Sequence, residues 1–164
     1  MKNSFRKIGL ALPSMKISDV TYNVAQIEKL FLAQDDCSIL LFPELSLTGY
    51  TCGDLFFQDS LLSACLDGIR KLKEDSKQKK GTLLIVGLPL RKENALYNVA
   101  CIINDGKILG FVPKSYLPNY SEFYERRWFA YGFGKTNEYY LFDGEEIPFG
   151  TDLLFKDGDA IVGV

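Results

Sequence analysis

Short apolar runs that alternate with amphipathic stretches set the strongest limit on how this chain can fold. Three such runs, at residues 5–12, 38–42 and 83–88, are each followed by a proline. Apolar runs of this length are typical of buried strands. Between them, residues 20–31 and 56–73 carry apolar side chains at helical spacing. The order strand, helix, strand, helix, strand predicts an α/β fold with a partly parallel sheet.

The second half of the chain contains strand and turn signals instead of a further amphipathic helix. Two apolar segments, 96–103 and 107–112, flank Asn104-Asp105-Gly106, a sequence that predicts a hairpin. An aromatic and charged loop over 113–133 follows, with one helical turn. Three more short strands are predicted at 139–142, 153–155 and 160–164. We expect the last one to be buried and unfinished, so the chain is expected to be a fragment of a longer protein.

Composition excludes several classes of function. The chain has no histidine, which excludes imidazole bases and histidine-ligated zinc. A formal net charge of −2 argues against a general nucleic-acid-binding surface. None of the four cysteines forms a CxxC motif, so we predict no metal site and reduced thiols. No run suits a signal peptide or a membrane helix, which predicts a cytoplasmic protein with no membrane partner.

Two charged residues stand where strands end at a proline. Glu44 follows the run 38–42 and Pro43, and Lys114 follows the run 107–112 and Pro113. Open α/β sheets place their sites at the carboxyl ends of strands. A glutamate there can act as a general base, and a lysine can stabilise an oxyanion. The alternatives are a glutamate that caps the next turn and a strand-end lysine in water.

A third candidate segment is the aromatic and charged stretch 121–129. It contains two acids, Glu122 and Glu125, two adjacent arginines and four aromatic residues. Such a segment can be a lid over a polar pocket, an aromatic subunit interface with an arginine anchor, or a plain surface turn.

The cysteines offer little as nucleophiles. Cys65 and Cys101 lie in apolar patterns and are predicted to be core residues. Cys37 follows two aspartates, and Cys52 has no cation beside it in sequence. A reactive thiol needs an electropositive environment, which none of these positions provides in the sequence.

Taken together, three segments resemble the nitrilase superfamily of carbon–nitrogen hydrolases. They are LLFPELSLTGYTCGDLFFQ, GLPLRKENALYNVACIINDGKILGFVPKSYLPNY and FYERRWF. Within that superfamily they are most similar to the N-terminal glutamine amidase domains of glutamine-dependent NAD synthetases. The resemblance implies a nitrilase-like α-β-β-α sandwich that is incomplete at its C-terminal end. Residues 1–164 would form the N-terminal part of one such domain.

The resemblance also implies a Glu–Lys–Cys triad. Glu44 matches the general base and Lys114 matches the lysine that stabilises the tetrahedral intermediate. The family's nucleophilic cysteine lies in the strand that this chain enters at its end, so it is expected beyond residue 164. Glu125, in preference to Glu122, matches a second glutamate that many members have near the lysine.

Substrate and partners follow from the same resemblance. Tyr50 and Tyr120 match tyrosines that line the glutamine pocket. The resemblance implies glutamine as substrate, a homo-oligomer, and no metal or cofactor in this domain. ATP and Mg²⁺ are implied for a synthetase domain that is absent from this chain. The fragment alone is expected to be inactive.

Two alternatives remain open at this point. One is another amidase of the superfamily, acting on a small amide or carbamoyl substrate. The other is a non-catalytic nitrilase-like module that serves only for assembly.

Overall fold

The computed structural model describes residues 5–164 and contains one mixed sheet, two helices on one of its faces and a small hairpin. The strands are β1 (Ile8–Leu10), β2 (Ile39–Leu41), β3 (Leu83–Lys92), β4 (Ala95–Asn104), β5 (Lys107–Pro113), β6 (Glu138–Phe142), β7 (Glu145–Phe149), β8 (Leu154–Asp157) and β9 (Ala160–Gly163). The helices are α1 (Val20–Ala33), α2 (Asp59–Asp75) and the single-turn α3 (Glu125–Trp128). The α/β class is as predicted.

Within residues 5–164, seven strands form the main sheet in the order β1-β2-β3-β4-β5-β7-β6, and β8 pairs only with β9. The first three strands are parallel because α1 and α2 connect them. Two antiparallel pairings then join β3 to β4 and β4 to β5, with Asp105 and Gly106 at positive φ in the second turn. As a result β5 runs in the same direction as β2, and the two strands end at the same edge of the sheet.

The two long helices pack on one face of the sheet and against each other. The Asp19 carboxylate caps α1 by accepting a hydrogen bond from the Tyr22 amide at 3.0 Å. Helix α2 begins after a 3₁₀ turn at Gly53–Phe57, slightly later than the sequence predicts. A Cβ on Gly68 of α2 would lie 2.8 Å from a methyl group of Val24, so a glycine permits the close approach of α1.

The other face of the sheet carries a second, smaller core. The hairpin β8–β9 lies over it, and Phe155 packs there with Ile85, Ile102 and Val112. The layers are therefore helix, sheet and a short second sheet, which accords with the expected sandwich.

Two strands that the sequence predicts as buried are exposed. Leu10 in β1 and Ile161 in β9 are 76% and 71% exposed. Strand β1 lies at the edge of the sheet. In β9, Val162 packs towards the second face and Ile161 lies on the outer side of the hairpin. The apolar runs marked strands correctly, but burial depends on what covers them.

Two further details of the strand prediction are wrong. Strand β3 does not end at Pro89 but continues through it. Gly87, two residues earlier, directs its amide and carbonyl towards Ser46 and Leu47, away from β4. Pro89 has the same orientation, so its missing N–H removes no bond to β4. Strand β7 was not predicted because Glu145–Phe149 is interrupted by two glutamates and a proline.

Candidate active site

The loop that carries Glu44 is fixed closely against β3. Leu45 adopts a φ of 51°, which is rare for a bulky residue. The Ser46 hydroxyl accepts a hydrogen bond from the Gly87 amide at 3.1 Å, and the Leu47 amide donates to the Gly87 carbonyl at 3.1 Å. A Cβ at Gly87 would lie 2.4 Å from the Leu45 nitrogen. Only a glycine in β3 allows this approach, which places Glu44 at the carboxyl end of β2.

Lys114 is held by its backbone on both sides. Its amide donates to the Asn98 carbonyl and its carbonyl accepts from the Gly132 amide, both at 2.8 Å. A Cβ at Gly132 would lie 2.5 Å from the Pro113 oxygen, so this crossing also requires glycine. The lysine therefore leaves the end of β5 from a fixed backbone position.

Glu125 begins α3, and an exposed ionic contact holds that turn in place. The Asp54 carboxylate accepts hydrogen bonds from Arg127 Nε at 2.7 Å and Nη2 at 2.8 Å, and from Trp128 Nε1 at 3.0 Å. These donors, the guanidinium first, hold the pKa of Asp54 well below its usual range. Asp54 thus ties the 3₁₀ turn after Tyr50 to the turn that carries Glu125.

The three charged side chains meet at one point. Lys114 Nζ donates to Glu44 Oε1 at 2.8 Å and to Glu125 Oε1 at 2.9 Å. The Tyr50 hydroxyl donates to Glu125 Oε1 at 2.6 Å, and the Asn98 side-chain amide donates to Glu44 Oε1. The structure therefore brings Glu44, Lys114, Glu125 and Tyr50 together.

Asn98 is the member of this group that sequence reasoning missed. It lies in the middle of β4, where ALYNVACII is otherwise made of apolar and aromatic residues. A single amide in such a strand is the signal that could have found it, because buried polar groups need partners.

The environment fixes the protonation of two of these groups. Burial lowers the pKa of Lys114, but hydrogen bonds to Glu44 and Glu125 outweigh it, so the pKa lies above its ordinary value. Burial and the hydrogen bond to Glu125 raise the pKa of Tyr50. The lysine is therefore a cation and the tyrosine a neutral donor at neutral pH.

The cluster opens onto a groove of about 380 Å³ on the second face of the sheet. Glu44, Asn98 and Lys114 line its polar end, and residues such as Ile85 and Val112 line its apolar wall. The Glu44 side chain is 41% exposed, whereas that of Glu125 is 2% exposed. A proton acceptor that solvent can reach thus stands beside a fixed cation, as acid–base chemistry with charge stabilisation requires.

Glu125 also has an oxygen without a partner. Its Oε2 atom is buried and makes no hydrogen bond with the described residues. A buried acceptor of this kind calls for a donor that the described residues do not supply.

The other residues predicted from sequence lie outside the cluster. Tyr120 is 68% exposed, and its ring packs edge-on against Phe123 with centroids 5.6 Å apart. No contact among the described residues joins it to Glu44 or Lys114. Glu122 is exposed, so Glu125 is the glutamate of this segment that meets the lysine.

All four cysteines are buried. Cys52 donates to the Thr48 carbonyl at 3.2 Å, and burial raises the pKa of its thiol. Burial raises the pKa of Cys65 to about 12 and also raises that of Cys101. The thiols of Cys52, Cys65 and Cys101 therefore lack the exposure and the low pKa of a nucleophile. Cys65 and Cys101 are core residues as predicted.

Two kinds of feature are absent from residues 5–164. No group of three histidine, cysteine or acidic side chains is placed to hold a metal ion. None of the helices there is long and apolar enough to cross a bilayer.

The fold and the site define a class of α/β domains with a glutamate–lysine–glutamate cluster at the strand ends. Within that class, the chain belongs to the carbon–nitrogen hydrolase family, whose model matches residues 7–163. The resemblance to the nitrilase superfamily is thereby confirmed.

Curated relatives in the family are much longer than this chain. It is 39% identical over 160 residues to the glutamine-dependent NAD(+) synthetase of Mycobacterium bovis, covering 96% of the chain and 23% of the relative. It is 36% identical over 154 residues to the enzyme of the same description from Aquifex aeolicus, covering 91% and 26%. The chain thus spans about a quarter of the length of these relatives.

Solved structures agree with the predicted sandwich fold. A glutamine-dependent NAD(+) synthetase from Cytophaga hutchinsonii matches 95% of the chain and 27% of its own, with a TM-score of 0.81 and 32% identity. An amidase from Nesterenkonia sp. matches 89% of the chain and 55% of its own, with a TM-score of 0.66 and 19% identity. The second likeness concerns the fold alone.

Proposed function

We propose that this chain is part of a glutamine amidohydrolase that supplies ammonia to an ATP-dependent NAD synthetase. One observation carries the proposal: Lys114 donates hydrogen bonds to both Glu44 and Glu125, and Tyr50 donates to Glu125. The 39% identity to glutamine-dependent NAD(+) synthetases supports glutamine as the substrate.

In the first half of the reaction, Glu44 removes the proton from a cysteine thiol. The thiolate attacks the side-chain amide carbon of glutamine and forms a tetrahedral intermediate. Lys114 stabilises the oxyanion, because it is a fixed cation next to the groove. Glu44 returns its proton to the amide nitrogen, the carbon–nitrogen bond breaks, and ammonia leaves a thioester.

In the second half, water replaces ammonia. Glu44 takes a proton from the water as it attacks the thioester carbon, and Lys114 again stabilises the oxyanion. The carbon–sulfur bond breaks, the thiolate recovers the proton, and glutamate is released. One base therefore serves both steps.

The remaining residues position the lysine and the substrate. Glu125 and its donor Tyr50 hold the ammonium group of Lys114 in place. We assign Tyr50 and Tyr120 to the wall of the glutamine pocket, Tyr120 on its resemblance alone.

We propose that the nucleophilic cysteine lies outside the described residues. All four cysteines here are buried, which supports a nucleophile beyond residue 164. The 164-residue chain by itself should then release no ammonia. ATP and Mg²⁺ would act in a synthetase domain, and we assign the whole protein to the cytoplasm as a homo-oligomer.

The test is ammonia release by the complete product of the gene that encodes this chain. Glutamine and propionamide are compared as substrates. We expect kcat/KM for glutamine to exceed that for propionamide by about 100-fold, because the polar end of glutamine adds binding interactions. Equal values would indicate a small-amide amidase, and no release from either would indicate a non-catalytic module.

A further inference from the structure

Asn98 connects the two sides of the candidate site. Its side-chain amide donates to Glu44 Oε1, and its backbone carbonyl accepts from the Lys114 amide at 2.8 Å. The residue is 3% exposed and lines the polar end of the groove. It therefore contacts the proposed base through its side chain and the proposed oxyanion stabiliser through its backbone.

The donors to Glu44 all meet one oxygen. Asn98 Nδ2 and Lys114 Nζ both donate to Oε1. None of the contacts among the described residues reaches Oε2. One donor lies in β4 and the other directly after β5, and together they define the rotation of the carboxylate, because turning it would break both hydrogen bonds.

We infer that Asn98 is a positioning residue that holds Oε1 of Glu44, so that Oε2 is the oxygen that accepts the proton. The inference rests on the proposed function. An amide suits this task because it donates a hydrogen bond and does not titrate in the pH range of the reaction. The titratable groups that face Glu44 or its lysine are Lys114, Glu125 and Tyr50, so Asn98 adds a donor but no charge.

The kinetic test uses Asn98→Ala and Asn98→Asp in the complete gene product. Alanine removes the donor, and aspartate keeps the size but replaces the donor with an acceptor. We expect kcat to fall by about 100-fold and KM to change by less than about threefold, because general-base catalysis depends on orientation. The acid limb of the pH–rate profile should move to higher pH.

A matched control lies in the same strand. Asn104 ends β4, away from the groove residues, and Asn104→Asp makes the same chemical change. It should leave kcat, KM and the pH profile unchanged. A loss of kcat in Asn104→Asp as large as that in Asn98→Asp would overturn the assignment, because it would reflect strand stability alone.

A second measurement separates this inference from the proposed function. In the 164-residue chain with ¹³C-labelled glutamate, the carboxyl resonance of Glu44 is assigned by its absence in Glu44→Gln and followed through a pH titration. In Asn98→Ala the titration midpoint should be higher than in the wild-type chain, because a donor to the ionised form is lost. Amide spectra report whether each variant is folded.

The titration separates a failure of the role of Asn98 from a failure of the proposed reaction. Equal midpoints in the folded wild-type and variant chains would overturn the role of Asn98, whatever the activity. A shifted midpoint in a protein that hydrolyses no amide would leave Asn98 as the residue that holds Glu44 and would remove only the proposed reaction.

Discussion

Lys114 and Lys71 each bridge a pair of carboxylates, yet only Lys114 lies beside a groove that could hold a substrate. Lys114 joins Glu44 and Glu125 at 2.8 and 2.9 Å. Lys71 joins Glu28 at 2.8 Å and Asp75 at 3.1 Å. Hydrogen bonds to carboxylates raise the pKa of both lysines.

The two bridges differ in what surrounds them. Lys71 lies on the helical layer, is half exposed, and pairs with an acid four residues along its own helix. Lys114 pairs with two acids that separate loops deliver, has two further donors beside it, and lines a groove. A bridging lysine is therefore not a site by itself. Convergent loops and access to a substrate make it one.

The sharpest contrast should appear in catalysis. Lys114→Met in the complete gene product should lower kcat/KM for glutamine hydrolysis by about 1,000-fold, because it removes the proposed oxyanion stabiliser. Lys71→Met removes an equivalent charge from a bridge and should stay within about twofold. Similar losses in both variants would mean that Lys114 matters no more for catalysis than Lys71.

Stability should differ less than catalysis. Lys114→Met leaves Glu125 buried without its cation, and we expect the free energy of unfolding to fall by about 2 kcal/mol. Lys71→Met should lower it by less than about 1 kcal/mol, because that pair is partly solvated. Urea denaturation followed by circular dichroism measures both, and a larger loss in Lys71→Met would contradict the assigned difference in burial.

The smallest effect concerns the Asp54 contact that holds α3. The pKa of Asp54 is lowered in the folded protein, so its contribution to stability is present above about pH 4 and is lost as pH falls below that. The urea midpoint of Asp54→Asn should therefore lie below that of the wild type at pH 6, and the two should converge on acidification. A difference that grows at low pH would contradict this sign.

The charged residues of the candidate site and the order of strands and helices could largely be predicted from the sequence. Strand ends at prolines and the family motifs indicated Glu44 and Lys114, and the choice of Glu125 over Glu122 relied on the motif FYERRWF. The geometry places Glu125, and not Glu122, against Lys114. Apolar runs and helical spacing are local properties of the sequence. They therefore predicted the order of strands and helices.

The features that could not be predicted depend on contacts between segments that are distant in the sequence. Asn98 reaches Glu44 from a strand 54 residues further along the chain, which no local pattern reports. Pro89 stays inside β3 because its nitrogen points away from β4. The exposure of β1 and β9 depends on which layers cover the sheet.

Two glutamates, one from each bridge, show most directly whether the cluster around Lys114 performs acid–base chemistry. Glu44→Gln in the complete gene product should lower kcat/KM for ammonia release from glutamine by at least about 1,000-fold, because an amide cannot accept the thiol proton. Glu28→Gln should leave it within about twofold. If Glu44→Gln kept more than about a tenth of the wild-type value, the cluster around Lys114 would not be the acid–base centre.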